Sequence, residues 1–221
     1  THFSRIFEDL HNEIYLFKAD TLKFIQVNNA GLRNLGYTME EFENMTPLDL
    51  KPEFTSESFE QLIAPLRNGK QKKIVFQTIH KRKDNTLYDV EVHLQLLRYK
   101  SEELFVAIVT DITHQKHAEK LKESIYMISE AAHSSENLDT LFKIIHKAIG
   151  KLVVAKNFYI ALYDADSKMI SFPYFVDEYD EPPAPEKLGR GLTEYVLRTG
   201  KFLLASPKVF EKLVKKGEVE A

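Results

Sequence analysis

The sequence predicts an α+β protein: an antiparallel sheet with helices packed on one face, then a long helix, then a smaller α/β segment. Three observations predict it. Two strand-like runs near the N terminus are followed by short helical stretches and then by three more strand-like runs. After Thr113 the apolar residues stop alternating and recur at intervals of three and four. Past Asn137 a second set of helical and strand-like runs begins, long enough in a chain of 221 residues to form a second small domain.

Each element has a local reason. Phe3, Ile6, Phe7 and Leu10 lie at helical spacing. Glu13 to Ala19 and Lys23 to Val27 read as strands flanking a turn at Asp20-Thr21. Asn28 or Asn29 is a natural N-cap for the next helix, and Gly36 supplies a left-handed residue to end it. Thr38 with Glu41 has the spacing of a capping box. Ser56 to Asn68 reads as a helix stopped by Gly69, with Pro65 expected to bend or break it.

Ile74 to Arg82 and Thr86 to Leu97 form a predicted hairpin. Asn tolerates the left-handed conformation, so Lys83-Asp84-Asn85 suits a type I turn with a G1-type bulge, pairing Arg82 with Thr86. By alternation Ile74, Phe76, Thr78 and His80 then share a face with Tyr88, Val90, Val92 and Leu94. A two-residue turn would put His80 outside. Leu104 to Val109 is the next strand.

In the segment after Thr113, Ala118, Leu121, Ile125, Ile128 and Ala132 fall at a and d positions. Asn137 caps a second predicted helix with Leu138, Leu141, Phe142, Ile145, Ile149 and Leu152 on one side. Phe158 to Tyr163 and Met169 to Tyr174 read as a strand pair, and Glu181 to Pro185 as a stiff exposed loop. A helix at Gly191 to Arg198, a strand at Phe202 to Ala205 and a helix at Pro207 to Lys216 complete the reading.

Composition excludes several function classes. The net charge is -3 with both signs interspersed, which gives no nucleic-acid footprint. No apolar run reaches the length of a membrane span and no signal peptide is present, so no membrane contact and a cytoplasmic location are expected. The absence of cysteine excludes disulfides, Fe–S clusters, thiolate zinc sites and thiol nucleophiles. The first residue is Thr1, which suggests a piece of a longer chain.

Several motifs together resemble a PAS domain of the S-box type over residues 3 to 113. They are Phe24-Ile25-Gln26-Val27-Asn28, Leu35-Gly36-Tyr37 followed by Glu40-Glu41-Phe42, the Arg82-Lys83-Asp84-Asn85 hairpin, and Asp111-Ile112-Thr113. Asn85 stands where that family usually has Gly. From about residue 121 the chain resembles a GAF domain, most clearly in Leu188-Gly189-Arg190-Gly191-Leu192-Thr193-Glu194-Tyr195-Val196 through Gly200. The resemblance implies a five-stranded PAS sheet (1–113), a signalling helix (114–136) and the N-terminal part of a GAF sheet (137–221). The strands expected to complete that GAF sheet are absent, which implies truncation or a covering partner chain, an open sheet edge and an exposed apolar face. The module is expected to be the sensory part of a multidomain signalling protein. A sensor histidine kinase of a two-component system is the first expectation for the missing output domain, and a cyclic-di-GMP enzyme the second.

No nucleophile–base–orienter arrangement is evident, so no catalytic residue is expected in this chain. For signal relay the expected residues are Asp111 and Thr113, with Arg82 or Lys83 as the partner of Asp111; a plain helix N-cap is the simpler reading. Leu121, Ile125 and Ile128 are expected to form a homodimer seam, or the face that packs on the second domain. A small-molecule pocket in the PAS part would be lined by Tyr15, Phe17, Phe24, Phe42, Phe76, His80, Tyr88 and Phe105. Each of these, taken singly, is also an ordinary core residue. The cofactor is not identified. Haem is disfavoured because Ser56 to Asn68 holds no histidine, and covalent flavin or bilin because there is no cysteine. No metal site is expected, and a protein-interaction module without a ligand is the alternative.

Overall fold

Apolar alternation in five segments and capping signals between them produce the first half of the chain. The computed structural model describes residues 2–99, 102–135 and 137–220. It divides into two compact units, Thr1–Glu119 and Lys120–Ala221. In the first, α1 (His2–Asp9) precedes β1 (Glu13–Lys18) and β2 (Phe24–Val27). Then come α2 (Asn29–Leu35), α3 (Met39–Phe42), α4 (Pro47–Leu50) and α5 (Ser56–Arg67), followed by β3 (Ile74–Lys81), β4 (Leu87–Tyr99) and β5 (Glu102–Asp111). The strands form one antiparallel sheet in the order β2-β1-β5-β4-β3. One face is covered by the helices, giving the α+β architecture.

Asn28 is the N-cap of α2. Its side-chain oxygen accepts from Gly31 N at 3.1 Å and from Ile14 N at 3.0 Å. Its amide nitrogen lies 3.2, 3.4 and 2.9 Å from the carbonyl oxygens of Phe7, Leu10 and Asn12. A fully buried amide is tolerated because both of its ends are bonded. Gly36 ends α2 at φ +78°, a left-handed residue at no steric cost. Thr38 and Glu41 form a reciprocal capping box at α3, with bonds of 2.9 and 3.3 Å.

Pro65 does not break α5, which runs on to Arg67. The missing proline N–H would have served Gln61, an exposed residue whose carbonyl can turn to water, so the loss falls at a tolerant point.

The β3–β4 hairpin has the bulged turn. Arg82 N donates to Thr86 O at 2.9 Å, Asn85 N to Arg82 O at 2.9 Å, and Asn85 is left-handed at φ +69°. The register pairs Ile74 with Leu94, Phe76 with Val92, Thr78 with Val90 and His80 with Tyr88. His80 therefore faces the core and is fully buried.

β5 passes directly into α6 (Thr113–Ser134), within which the division between the two units falls. The second unit adds α7 (Leu138–Gly150), β6 (Phe158–Asp164), β7 (Met169–Val176), β8 (Glu186–Lys187), α8 (Leu192–Thr199) and α9 (Pro207–Lys215). Asn137 caps α7 by accepting from Thr140 N at 2.9 Å. Ser124 and Ala131 are the buried residues of α6, and Ser124 donates to the Ala148 carbonyl at 3.1 Å. Leu121 and Ile125 lie on its exposed side and Ile128 is half-buried.

The three-stranded sheet has the order β6-β7-β8. Above it His146 stacks on Phe158 with ring centres 4.7 Å apart. Its two nitrogens lie 2.9 Å from the Tyr174 hydroxyl and 2.7 Å from the Ala155 carbonyl. The two-residue β8 has too short a pattern to read from sequence. Phe202 to Ala205, expected as a strand, is irregular: it pairs with no strand among the described residues, and Phe202 and Leu204 are 98% and 86% exposed. A β-prone run without a partner strand has no ladder to join. Glu136, the last residue of the expected linker, lies outside the described residues.

Candidate functional site

The interior of the first unit is an aromatic cluster closed at one end by polar groups. Phe17 stacks on Phe105 with centres 5.3 Å apart, and Phe24 meets Tyr15, Phe17 and Phe42 edge-on at 5.8, 5.8 and 5.0 Å. Tyr15, Phe17 and the half-buried Phe76 line a cavity together with Lys51, Phe59 and Val92. Its volume is about 10 Å³, the space of about one water. Phe24, Phe42 and Phe105 pack behind it as core, and His80 and Tyr88 belong to the polar end.

That polar end contains a residue that no sequence motif marks. Lys51 follows α4 and is fully buried, its Nζ 2.9 Å from His80 Nε2. His80 Nδ1 lies 3.4 Å from the Tyr88 hydroxyl, which is 3.1 Å from each carboxylate oxygen of Glu13. Glu13, also buried, accepts from the Tyr15 hydroxyl and from Asn34 Nδ2, the latter at 2.5 Å. Lys51 after the apolar Leu50 and before Pro52 reads as a solvated lysine, and only the inward register of His80 hinted at a buried partner.

Burial governs the ionisation of these groups. It pulls the Lys51 ammonium down to about 7, opposed by the negative charge of Glu13. Burial and the nearby Lys51 charge push His80 well below the usual histidine range. Burial raises Glu13, against the donors Tyr15, Asn34 and Tyr88. Tyr15 and Tyr88 are raised, first by burial and then by the Glu13 charge.

Asn34 carries the network to the surface. Its side-chain oxygen accepts from Arg82 Nε and Nη2, both at 3.2 Å. Arg82 also bonds the Asn34 carbonyl at 3.0 Å and lies over the Tyr88 ring, 3.9 Å from its centre. Arg82 Nη2 stands 3.8 Å from Asp111 Oδ2, while Lys83 turns away to Glu41 at 2.7 Å. The other oxygen of Asp111 accepts from Thr113 N at 2.9 Å. Thr113 Oγ1 accepts from Asp89 N at 3.1 Å, and Lys116 pairs with Asp89 at 2.8 Å. The start of α6 is thus tied to β4 and β5 and, through Arg82, to the β3–β4 hairpin. His114 and His117 are exposed, and among the described residues no group of three His, Asp or Glu side chains could hold a metal ion.

Residues 12–114 match the family model described as a PAS domain. A sensor associated with methyl sulfide methyltransferase, from Methanosarcina acetivorans, is 23% identical over 171 residues; the match covers 74% of this chain. The chain spans only 17% of that sensor. The PAS domain of an HTR-like protein from Haloarcula marismortui is 25% identical, with a TM-score of 0.46 over 50% of this chain and 95% of that one. A PAS domain from a two-component sensor histidine kinase is 17% identical, with a TM-score of 0.43 over 50% of this chain and 93% of that one. The match to the PAS family model thus spans the five-stranded antiparallel sheet and the helices packed on it.

Proposed function

We propose that this chain is the input and relay module of a multidomain sensor, without chemistry of its own. In this reading residues 1–113 receive the signal, 114–136 carry it, and 137–221 are the N-terminal part of a GAF domain. The parent protein would be a cytoplasmic sensor histidine kinase. The observation that carries the reading is the double engagement of Asp111, which faces Arg82 with one oxygen and caps the first turn of α6 with the other. A change inside the domain that moves Arg82 alters the cap, and a few kcal/mol of preference between two cap states is enough to shift their populations. The exposed Leu121 and Ile125 support a homodimer through α6.

Asp111→Ala in the full-length parent is the test. The expected result is a folded protein whose output no longer follows its signal; a normal response would sink the relay. A second reading, a domain that answers to a protein partner instead of a small ligand, is favoured by the filled interior. Native mass spectrometry separates the two, since a small ligand adds mass to the protomer and a partner-driven domain carries none.

A further inference from the structure

A continuous path of polar side chains crosses the first unit, from Lys51 through His80, Tyr88, Glu13, Asn34 and Arg82 to Asp111. Its inner end is unusual. An ammonium has three donors, and among the described residues Lys51 has a single side-chain hydrogen-bond partner, the imidazole nitrogen of His80. Among the described residues no carboxylate bonds either group. Glu13 is the nearest charge of opposite sign in the network, and its oxygens are occupied by Tyr15, Tyr88 and Asn34. The adjoining cavity has room for about one water. A proton is the ligand that this site takes up or releases without repacking.

We propose that Lys51 and His80 form a proton-binding site, and that its occupancy sets the direction of the Tyr88 hydroxyl and thereby the Arg82–Asp111 junction. This rests on the sensory reading above and names the signal as proton activity.

The two states follow from donor and acceptor rules. With Lys51 charged, Nζ donates to His80 Nε2, so the neutral imidazole carries its hydrogen on Nδ1 and points it at the Tyr88 oxygen. Tyr88 then spends its own hydrogen on Glu13. When Lys51 releases a proton to water, its nitrogen gains a lone pair, and an imidazole N–H is a far better donor than a neutral amine. The hydrogen of His80 moves to Nε2, Nδ1 becomes an acceptor, and Tyr88 can turn its hydrogen from Glu13 to His80. Glu13 loses one of its donors, and Asn34, which bonds both Glu13 and Arg82, feels the change.

The charged and titratable groups around this path are few. Glu13 and Tyr15 face it from β1, Tyr88 from β4, and Asn34 from α2. Arg82 stands at the end of β3, and Asp111 lies beyond it on β5. Glu53, near Lys51 in sequence, is held outside by the Thr78 hydroxyl at 2.8 Å and the Ile79 amide at 3.0 Å. The aromatic side chain Phe59 comes from α5. Burial places the Lys51 transition near neutrality and keeps His80 uncharged through it, so one proton is exchanged.

The experiment is an NMR pH titration of the whole chain, observing the His80 ring nitrogens, the Asn34 side-chain amide and Arg82 Nε–H. The Thr113 amide is followed in a His114→Gln/His117→Gln background, to remove the exposed imidazoles beside it. The expected result is an exchange of His80 tautomer, with Asn34, Arg82 and Thr113 moving at one shared midpoint near 7. In Tyr88→Phe the His80 change remains and the response at Arg82 and Thr113 is lost. In Lys51→Met the midpoint disappears. An unchanging His80 tautomer in the unmodified protein overturns the proposal, whether or not the variants fold; so does a Thr113 response that survives in Tyr88→Phe. If the titration behaves as expected and Asp111→Ala still leaves output normal, the proton site stands and the relay reading fails.

Discussion

Lys51 and His80 meet nitrogen to nitrogen at 2.9 Å inside the first unit, and among the described residues no carboxylate is bonded to either. Two basic side chains so placed cannot both be charged, because each would lose its hydration and repel the other. The arrangement makes the stability of the unit depend on pH in a direction that can be worked out.

Lys51 titrates near 7 in the folded chain, against 10.5 for an ordinary lysine. Between those values the unfolded chain holds the proton and the folded chain does not, so stability rises with pH across the interval. The expected slope is about 1.4 kcal/mol per pH unit. Below the folded value both states are protonated and this contribution is flat, with the burial penalty fully present. Lys51→Met should remove the slope and be more stable than the parent at neutral pH. Scanning calorimetry as a function of pH checks this, and an unaltered slope in Lys51→Met would refute it.

The hairpin turn offers a test of backbone conformation. Asn85 sits at φ +69°, where glycine is at ease and β-branched residues are strained. Asn85→Gly should change stability by no more than about 0.5 kcal/mol, whereas Asn85→Val should cost about 1–2 kcal/mol. Urea unfolding midpoints distinguish them. Equal midpoints would mean that the turn relaxes to another type.

In the second unit the Ala155 carbonyl can only accept, so His146 Nε2 carries the hydrogen and Nδ1 accepts from Tyr174. His146→Leu strands both partners and removes the stack on Phe158. The expected loss is about 2–3 kcal/mol, with partial recovery in His146→Gln. The measurement is the unfolding of this unit alone, followed by hydrogen exchange of β6 and β7 amides. Protection equal to the parent's would show that the two bonds carry no weight.

The exposed side of α6 predicts the state of association. Ile125→Glu should turn a dimer into a monomer in sedimentation velocity. Leu138→Glu, at an exposed apolar residue outside the Leu121–Ile125–Ile128 stripe, should leave the mass unchanged. Equal effects of the two changes would place the interface elsewhere.

The parts of the fold governed by neighbouring residues were legible. The caps at Asn28, Thr38 and Asn137, the left-handed Gly36 and the bulged turn at Asn85 all follow from side chains within a few positions of the backbone they serve. The inward register of His80 followed from that turn. Features that depend on distant segments were hidden. Lys51 is buried because β1 and β3 supply Glu13 and His80, and the local run Asp49-Leu50-Lys51-Pro52 carries no sign of it. Phe202 to Ala205 has strand composition, but whether a strand forms is decided by a partner edge. The reach of Arg82 to Asp111 was anticipated as geometry, whereas the role of Asn34 as the link between Arg82 and Glu13 depends on a helix face seen only after folding.

Asn28 closes three loops of chain at once, tying residues 7, 10 and 12 to the base of α2 while gripping the first turn of that helix. Glu8 adds a second attachment beside it, accepting from Asn29 N at 3.0 Å. The leading segment is thus tied to α2 by a neutral amide, whose grip no change of pH or salt can weaken by altering its charge, and by the Glu8 carboxylate beside it.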